Sequence, residues 1–156
     1  MSQARQPPML FVGVVVKRDE KVLLVRQSPG HPLAGQWTVP WGRVEPGESP
    51  MSAAIREAHE EAGVEVAVVG LLGVQELPAP QTGGVALVYL GQHAGGDLQP
   101  RDRETDAAGY YSAAALTELE RLEPWSEWLV RRVLAGDVSV TGPHPGNPLQ
   151  ERGAFL

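Results

Sequence analysis

The segment REAHEEAG, residues 56–63, sets Glu57, Glu60 and Glu61 within five positions behind Arg56. On a helix, residues three and four apart are neighbours, and like charges there repel by about 0.2–0.5 kcal/mol per pair. On charge patterning alone the stretch reads as a solvated helix face. The alternative is that something positive stands in front of it. Closely set carboxylates suit a hard divalent cation such as Mg²⁺ or Mn²⁺, which prefers oxygen donors.

Ser49 followed by Pro50 forms a helix start, and Gly63 forms a stop. Between them Met51, Ala54, Ile55, Ala58 and Ala62 recur at helical spacing on one face. At about 100° per residue the three glutamates span an arc of about 100° on another face, with Arg56 beside Glu60. The carboxylates therefore share a stripe that need not enter the core.

The frame around the helix is more specific than the helix itself. GRVEPGESPMSAAIREAHEEAGV, residues 42–64, follows the pattern G-x5-E-x7-R-E-U-x-E-E-x-G-U, with U an aliphatic residue. Seven fixed identities at roughly 1 in 15 each coincide by chance on the order of 10⁻⁸ times per start position. The chain resembles the Nudix hydrolase family, of the MutT-like kind. Ala58, where a larger aliphatic is usual, and Trp41, where a small residue is common, depart from its pattern. The resemblance covers roughly residues 9–134.

The resemblance implies an α/β (α+β) fold, a mixed β-sheet sandwiched between α-helices. It implies hydrolysis of a diphosphate linkage in a nucleoside diphosphate joined to a further group, such as a nucleotide, a nucleotide sugar or ADP-ribose, with Mg²⁺ or Mn²⁺ as cofactor. By the same analogy Glu57 and Glu61 are metal ligands, with Glu60 a further ligand or a water-orienting base. The backbone carbonyl of Trp41 is another ligand, and Gly42 lets that loop approach. Glu104, six residues before Tyr110, is an additional ligand or the general base, against the plain reading of a solvated loop glutamate. Arg56 joins the catalytic set by pairing with a glutamate such as Glu48, which stands behind the ligands. Arg26, Trp37 and Arg103 are candidate substrate contacts, each weighed against a surface or packing role.

The remaining elements must hold this site. MLFVGVVVK (9–17) and KVLLVRQ (21–27) read as a hairpin, residues 28–36 as a loop, and WTVP (37–40) as a short strand. Residues 41–48 read as a loop, 64–77 and 85–93 as strands, and 78–84 as a turn. Residues 94–108 read as a loop, 109–112 as a short strand, and 113–119 and 123–136 as helices. This gives a loose N-terminus (1–8), one domain (9–136) and a Gly/Pro-containing tail (137–156).

The 156 residues suit one compact domain, and 42% hydrophobic content supports a core. A net charge of −6 argues against electrostatic binding to nucleic acid or an anionic membrane. The expected partner is a small nucleotide. With no cysteine, thiol chemistry and thiolate metal sites are excluded, and so is a prenyl diphosphate isomerase needing a reactive thiol. The start lacks a long apolar segment, so a cytoplasmic protein is expected. A homodimer is expected from resemblance alone. The competing reading is a catalytically silent Nudix-fold module that binds nucleotides or regulates. Such modules usually lose box glutamates, and this chain keeps them.

Overall fold

The protein is described from a computed structural model, covering residues 7–78, 83–148 and 155. The hairpin forms as expected from β1 (Leu10–Arg18) and β2 (Lys21–Gln27). Short strands β3 (Trp37–Thr38) and β4 (Trp41–Arg43) follow. Helix α1 (Pro50–Ala62) precedes β5 (Glu65–Glu76), β6 (Val85–Gly95) and β7 (Thr105–Tyr111). Two helices complete the order, α2 (Ala113–Leu116) and α3 (Pro124–Leu134).

The strands form one mixed sheet in the order β3-β2-β1-β6-β5, with β4 pairing β1 and β7 pairing β2. β1 and β6 are parallel; the other pairings are antiparallel. The apolar runs of β1 and β2 are continuous because both sheet faces are covered. Val12, Val14, Val16, Leu23 and Val25 point to one core under α1. Val15, Val22 and Leu24 point to the other, where Leu129, Val130 and Val133 of α3 meet them. The sheet is thus sandwiched between helices, as the sequence implies.

Two segments expected as loops are paired. Residues 41–43 contain a glycine and an arginine and look loop-like, yet they form β4 against Phe11, Val12 and Gly13. β7 begins at Thr105 rather than 109, because Thr105 and Ala107–Gly109 find partners in β2 across Leu24–Gln27. In both cases tertiary pairing overrides weak local propensity. β3 and α2 are shorter than expected. The expected turn at 78–84 lies partly outside the described residues. Of the expected tail, Val138 packs on the α3-side core, Thr141 bridges to Leu71 of β5, and Phe155 packs on Tyr89.

Helix α1 has the ends its sequence announces. The Ser49 hydroxyl accepts from the Ser52 amide at 3.1 Å, Pro50 opens the first turn, and Gly63 closes the helix at φ 77°. Ala53, Ala54, Ala58 and Ala62 are all fully buried, so short side chains let the helix lie close to the sheet. Ala58 is small for that reason.

Gly63 also admits the chain that follows β6. The amide of Gln99 donates to the Ala62 carbonyl at 2.8 Å, and those of Arg101 and Asp102 donate to the Glu60 carbonyl at 2.8 and 3.1 Å. A Cβ at Gly63 would lie 2.5 Å from the Gln99 carbonyl oxygen and 2.6 Å from that of Asp97. Gly47 has a similar positive φ of 84° but nothing within 4 Å of a Cβ. Gly47→Ala is expected to cost about 1 kcal/mol, the backbone strain alone. Gly63→Ala carries strain plus collision and is expected to cost at least ~3 kcal/mol. Urea unfolding of the two variants measures the difference.

Candidate active site

The positive group sought in front of the glutamate stripe is Arg56 itself. Its guanidinium donates to both Glu48 oxygens, from Nε at 3.0 Å and from Nη2 at 2.7 Å. Nη2 also donates to the Arg43 carbonyl at 3.0 Å. Nη1 donates to Glu57 Oε1 at 2.8 Å and to Glu60 Oε2 at 3.1 Å. One side chain therefore ties α1 to β4 and to the loop before the helix. The geometry is the planar fork that lysine cannot supply. Glu48 is held in turn, accepting the Glu45 amide at 2.8 Å. The Arg56 hydrogen bonds keep the Glu48 carboxyl below the usual carboxylate range.

Glu57 and Glu61 lie one turn apart, 5% and 1% exposed, which is rare for carboxylates without a compensating partner. Gly42 makes room for the first. A Cβ there would collide with the Glu57 carboxylate, so any other residue would displace that group. The Trp41 amide donates to Glu61 Oε2 at 3.3 Å. The Trp41 and Gly42 backbone of β4 thus lies directly against both acids. On the other side, the Thr105 hydroxyl donates to the Glu61 carbonyl at 2.7 Å. That anchors the start of β7, where the exposed Glu104 reaches the same point. One carboxylate oxygen each from Glu57, Glu61 and Glu104 lies within 4.8 Å of the others.

Burial chiefly raises the Glu57 pKa, to about 7; Arg56 pulls it down, and Glu60 and Glu104 add repulsion. Glu61 is pushed well above the ordinary range, first by burial and then by Glu57. A divalent cation would reverse this balance, since its charge outweighs the repulsion. Three converging carboxylates are the donor set of a hard, oxygen-seeking dication, and these residues fit one.

The other expected site residues are distributed around this cluster. Glu60 is more exposed and turned to Arg56, outside the converging triad. Arg103 is exposed beside Glu104. Arg26 pairs with Asp106 at 2.7 Å and lies over the Trp37 ring, which packs on the α3-side core. Sequence reasoning passed over Asp102, whose carboxylate accepts the Glu104 amide at 3.0 Å and whose charge also acts on Glu61. It passed over Thr105 as well. Both sit in RDRETD, which reads as an undifferentiated charge run until β7 is seen to start inside it.

The NUDIX domain model matches residues 7–133. An NAD-capped RNA hydrolase NudC from Chromobacterium violaceum is 35% identical over 106 residues, 68% of this chain and 38% of the relative. An ADP-ribose pyrophosphatase from Methanocaldococcus jannaschii is 32% identical over 102 residues, 64% of this chain and 60% of the relative. The chain thus spans well under half the length of the NudC proteins it matches. Among solved structures, a NUDIX hydrolase from Nitrosomonas europaea superposes with a TM-score of 0.72 at 25% identity, covering 86% of this chain and 93% of that one. A MutT NUDIX hydrolase from Burkholderia pseudomallei gives 0.67 at 28% identity, covering 82% and 99%. Among the described residues no helix is long and apolar enough to cross a membrane.

The raised carboxyls couple stability to pH. Glu57 binds its proton more tightly folded, at about 7, than at its ordinary 4.5. Its stabilising contribution is full below 4.5 and is lost as pH rises through 7. Glu61 acts in the same direction. Thermal melts of the metal-free protein are therefore expected to fall by several degrees between about pH 5 and pH 8. Added Mg²⁺ or Mn²⁺ is expected to raise the melting temperature more at pH 8 than at pH 5, because it binds the deprotonated form.

Proposed function

The chain belongs to the NUDIX family, and from that premise we propose that it hydrolyses a diphosphate linkage in a nucleoside diphosphate joined to a further group, with Mg²⁺ or Mn²⁺ bound by Glu57 and Glu61 at the point where Glu104 meets them. The observation that carries this reading is the convergence of those three carboxylates, two of them buried against β4. When bound, the cation neutralises phosphate oxygens and lowers the pKa of a coordinated water.

The protein's own contribution is position and proton transfer. Arg56 fixes the angle of α1 and directs Glu57 inward. The Glu60 carboxylate is engaged by Arg56. The Glu104 carboxylate accepts no hydrogen bond among the described residues and reaches the triad from an exposed strand end. Those two facts favour Glu104 as the group that takes the proton from water. The backbone of Trp41 meets Glu61, while its ring lines a cleft of about 310 Å³ together with Leu33, Val39, Leu77 and Trp125. An apolar cleft next to a phosphate-handling centre suits the flat ring of a nucleoside.

Hydrolysis of ADP-ribose, NAD, nucleotide sugars, nucleoside triphosphates and NAD-capped RNA, with products identified, tests the reaction class. Two monoester products from the diphosphates are expected, and saturable binding without turnover of any of them would establish the silent-module reading instead. Glu57→Gln is expected to lower kcat by orders of magnitude at saturating metal while the fold is kept. Glu104→Gln is expected to lose about 10²–10⁴ in kcat with a flattened pH profile, and Glu60→Gln distinctly less. Equal losses at the two positions would remove the assignment of the base.

A further inference from the structure

Arg121 lies between α2 and α3, is exposed, and has a positive φ of 61°. That backbone conformation is strained for a residue with a side chain and persists only where neighbouring bonds hold it. Among the described residues Asp19 is the other non-glycine so placed, and it sits in the turn between β1 and β2, where positive φ matches the strand twist. Arg121 is outside any hairpin. An exposed arginine gains little from packing, and glycine would hold the same φ without strain. The strain therefore points to a task for the side chain.

Two sets of bonds fix it. Its carbonyl accepts the Trp37 amide at 3.0 Å, and the Glu123 amide donates to the Trp37 carbonyl at 2.9 Å, so Leu122 runs parallel to β3. Its Nη2 donates to the Ala34 carbonyl at 3.1 Å. Gly35 leaves room for that reach, since a Cβ there would lie 2.8 Å from Arg121 Nη1. These bonds join the two walls of the cleft beside Trp41. One wall is the loop of residues 28–36. Leu33, next to Ala34, lines the cleft, and His31 stands edge-on to the Trp41 ring with ring centres 6.5 Å apart. The Leu33 amide donates to His31 Nδ1 at 3.0 Å, so the two move as a unit. The far end of the loop is tied to the acidic cluster, where the Ser28 amide donates to the Glu104 carbonyl at 2.8 Å. The other wall is the start of α3, from which Glu123, Trp125 and Ser126 line the same cleft. Glu123 caps that helix, accepting the Trp125 and Ser126 amides at 2.9 and 2.7 Å.

We propose that Arg121 is a positioning residue for nucleoside binding, spanning the two walls of the Trp41 cleft and holding Leu33 against the space the base occupies. The proposal rests on the nucleoside reading of that cleft given above. Arg121 does not itself line the cleft. It reaches the loop wall by its side chain and leads into the helix wall, two residues on, by its main chain. Its effect on the ligand passes through Ala34 and Leu33, away from the carboxylates.

Arg121→Gly keeps the backbone conformation and removes only the reach to Ala34. In it, KM for the best of ADP-ribose, NAD and ATP is expected to rise about tenfold, with kcat within about twofold of the parent. Hydrogen exchange is expected to quicken at the amides of residues 33–36 and to stay as in the parent across β1 and β2. Arg121→Lys, which keeps a donor on a long stem, is expected to recover part of both effects. An unchanged KM overturns the proposal. So does a loss arising in kcat, or exchange that quickens throughout the sheet, the mark of a purely structural role. Each of these outcomes leaves the hydrolase reading intact. If the parent hydrolyses none of the compounds, the hydrolase reading fails instead, and calorimetric titration with ADP, GDP and UDP in Mg²⁺ decides the role of Arg121. Weaker binding in Arg121→Gly supports it; equal affinities, or no binding by the parent, refute it.

Discussion

The site depends on one guanidinium. Without Arg56, the acidic ridge of α1 would face β4 and the preceding loop with only the Trp41 amide to bind it. Arg56 answers that with five hydrogen bonds to four residues, Glu48, Glu57, Glu60 and the Arg43 carbonyl. The interaction is partly screened from water, so it is worth more than a surface pair, though no pair in it is dry enough to suffer a full desolvation cost. Its planar shape matters as much as its charge. It faces the loop with one edge and the helix stripe with the other, and so sets the distance between them.

That distance determines which carboxylates are buried. Glu57 sits where Gly42 leaves a gap, and Glu61 sits under the Trp41 amide. Burial makes both reluctant to ionise, and Arg56 compensates only Glu57 directly. The cluster is therefore left short of positive charge, in keeping with the cation proposed for it. Well-packed neighbours hold the cluster in place. The alanine stripe of α1 holds the helix close, and the carbonyls of Ala62 and Glu60 receive the amides of the segment that brings Glu104.

Much of this was legible in the sequence because it is local. Ser49-Pro50 and Gly63 mark the ends of α1 through cap chemistry, and the spacing of Arg56, Glu57 and Glu61 fixes their faces. The burial of Glu57 was not legible, since it depends on β4 pairing with β1, and a glycine beside an arginine carries no strand signal. Glu104 could be singled out by its distance from Tyr110, but Thr105 and Asp102 could not. Their roles arise only where β7 meets α1 across more than forty residues of chain. Arg26 and Trp37 were visible as a pair of chemical types. Their side chains sit on the α3 face because strand alternation places them there, opposite the acidic cluster, a matter of register that composition does not report.

The bridge between Leu71 and Thr141 bears on how the molecule keeps to itself. β5 is a terminal strand of the sheet, and Val69 and Val74 on it are open to water. Such an unpaired border is a template for lateral association. Thr141 exchanges both backbone hydrogen bonds with Leu71 at 2.9 Å, and a Cβ at Gly70 would collide with the adjoining chain. The segment after α3 thus works as a selvedge, finishing a border that would otherwise fray into neighbouring copies.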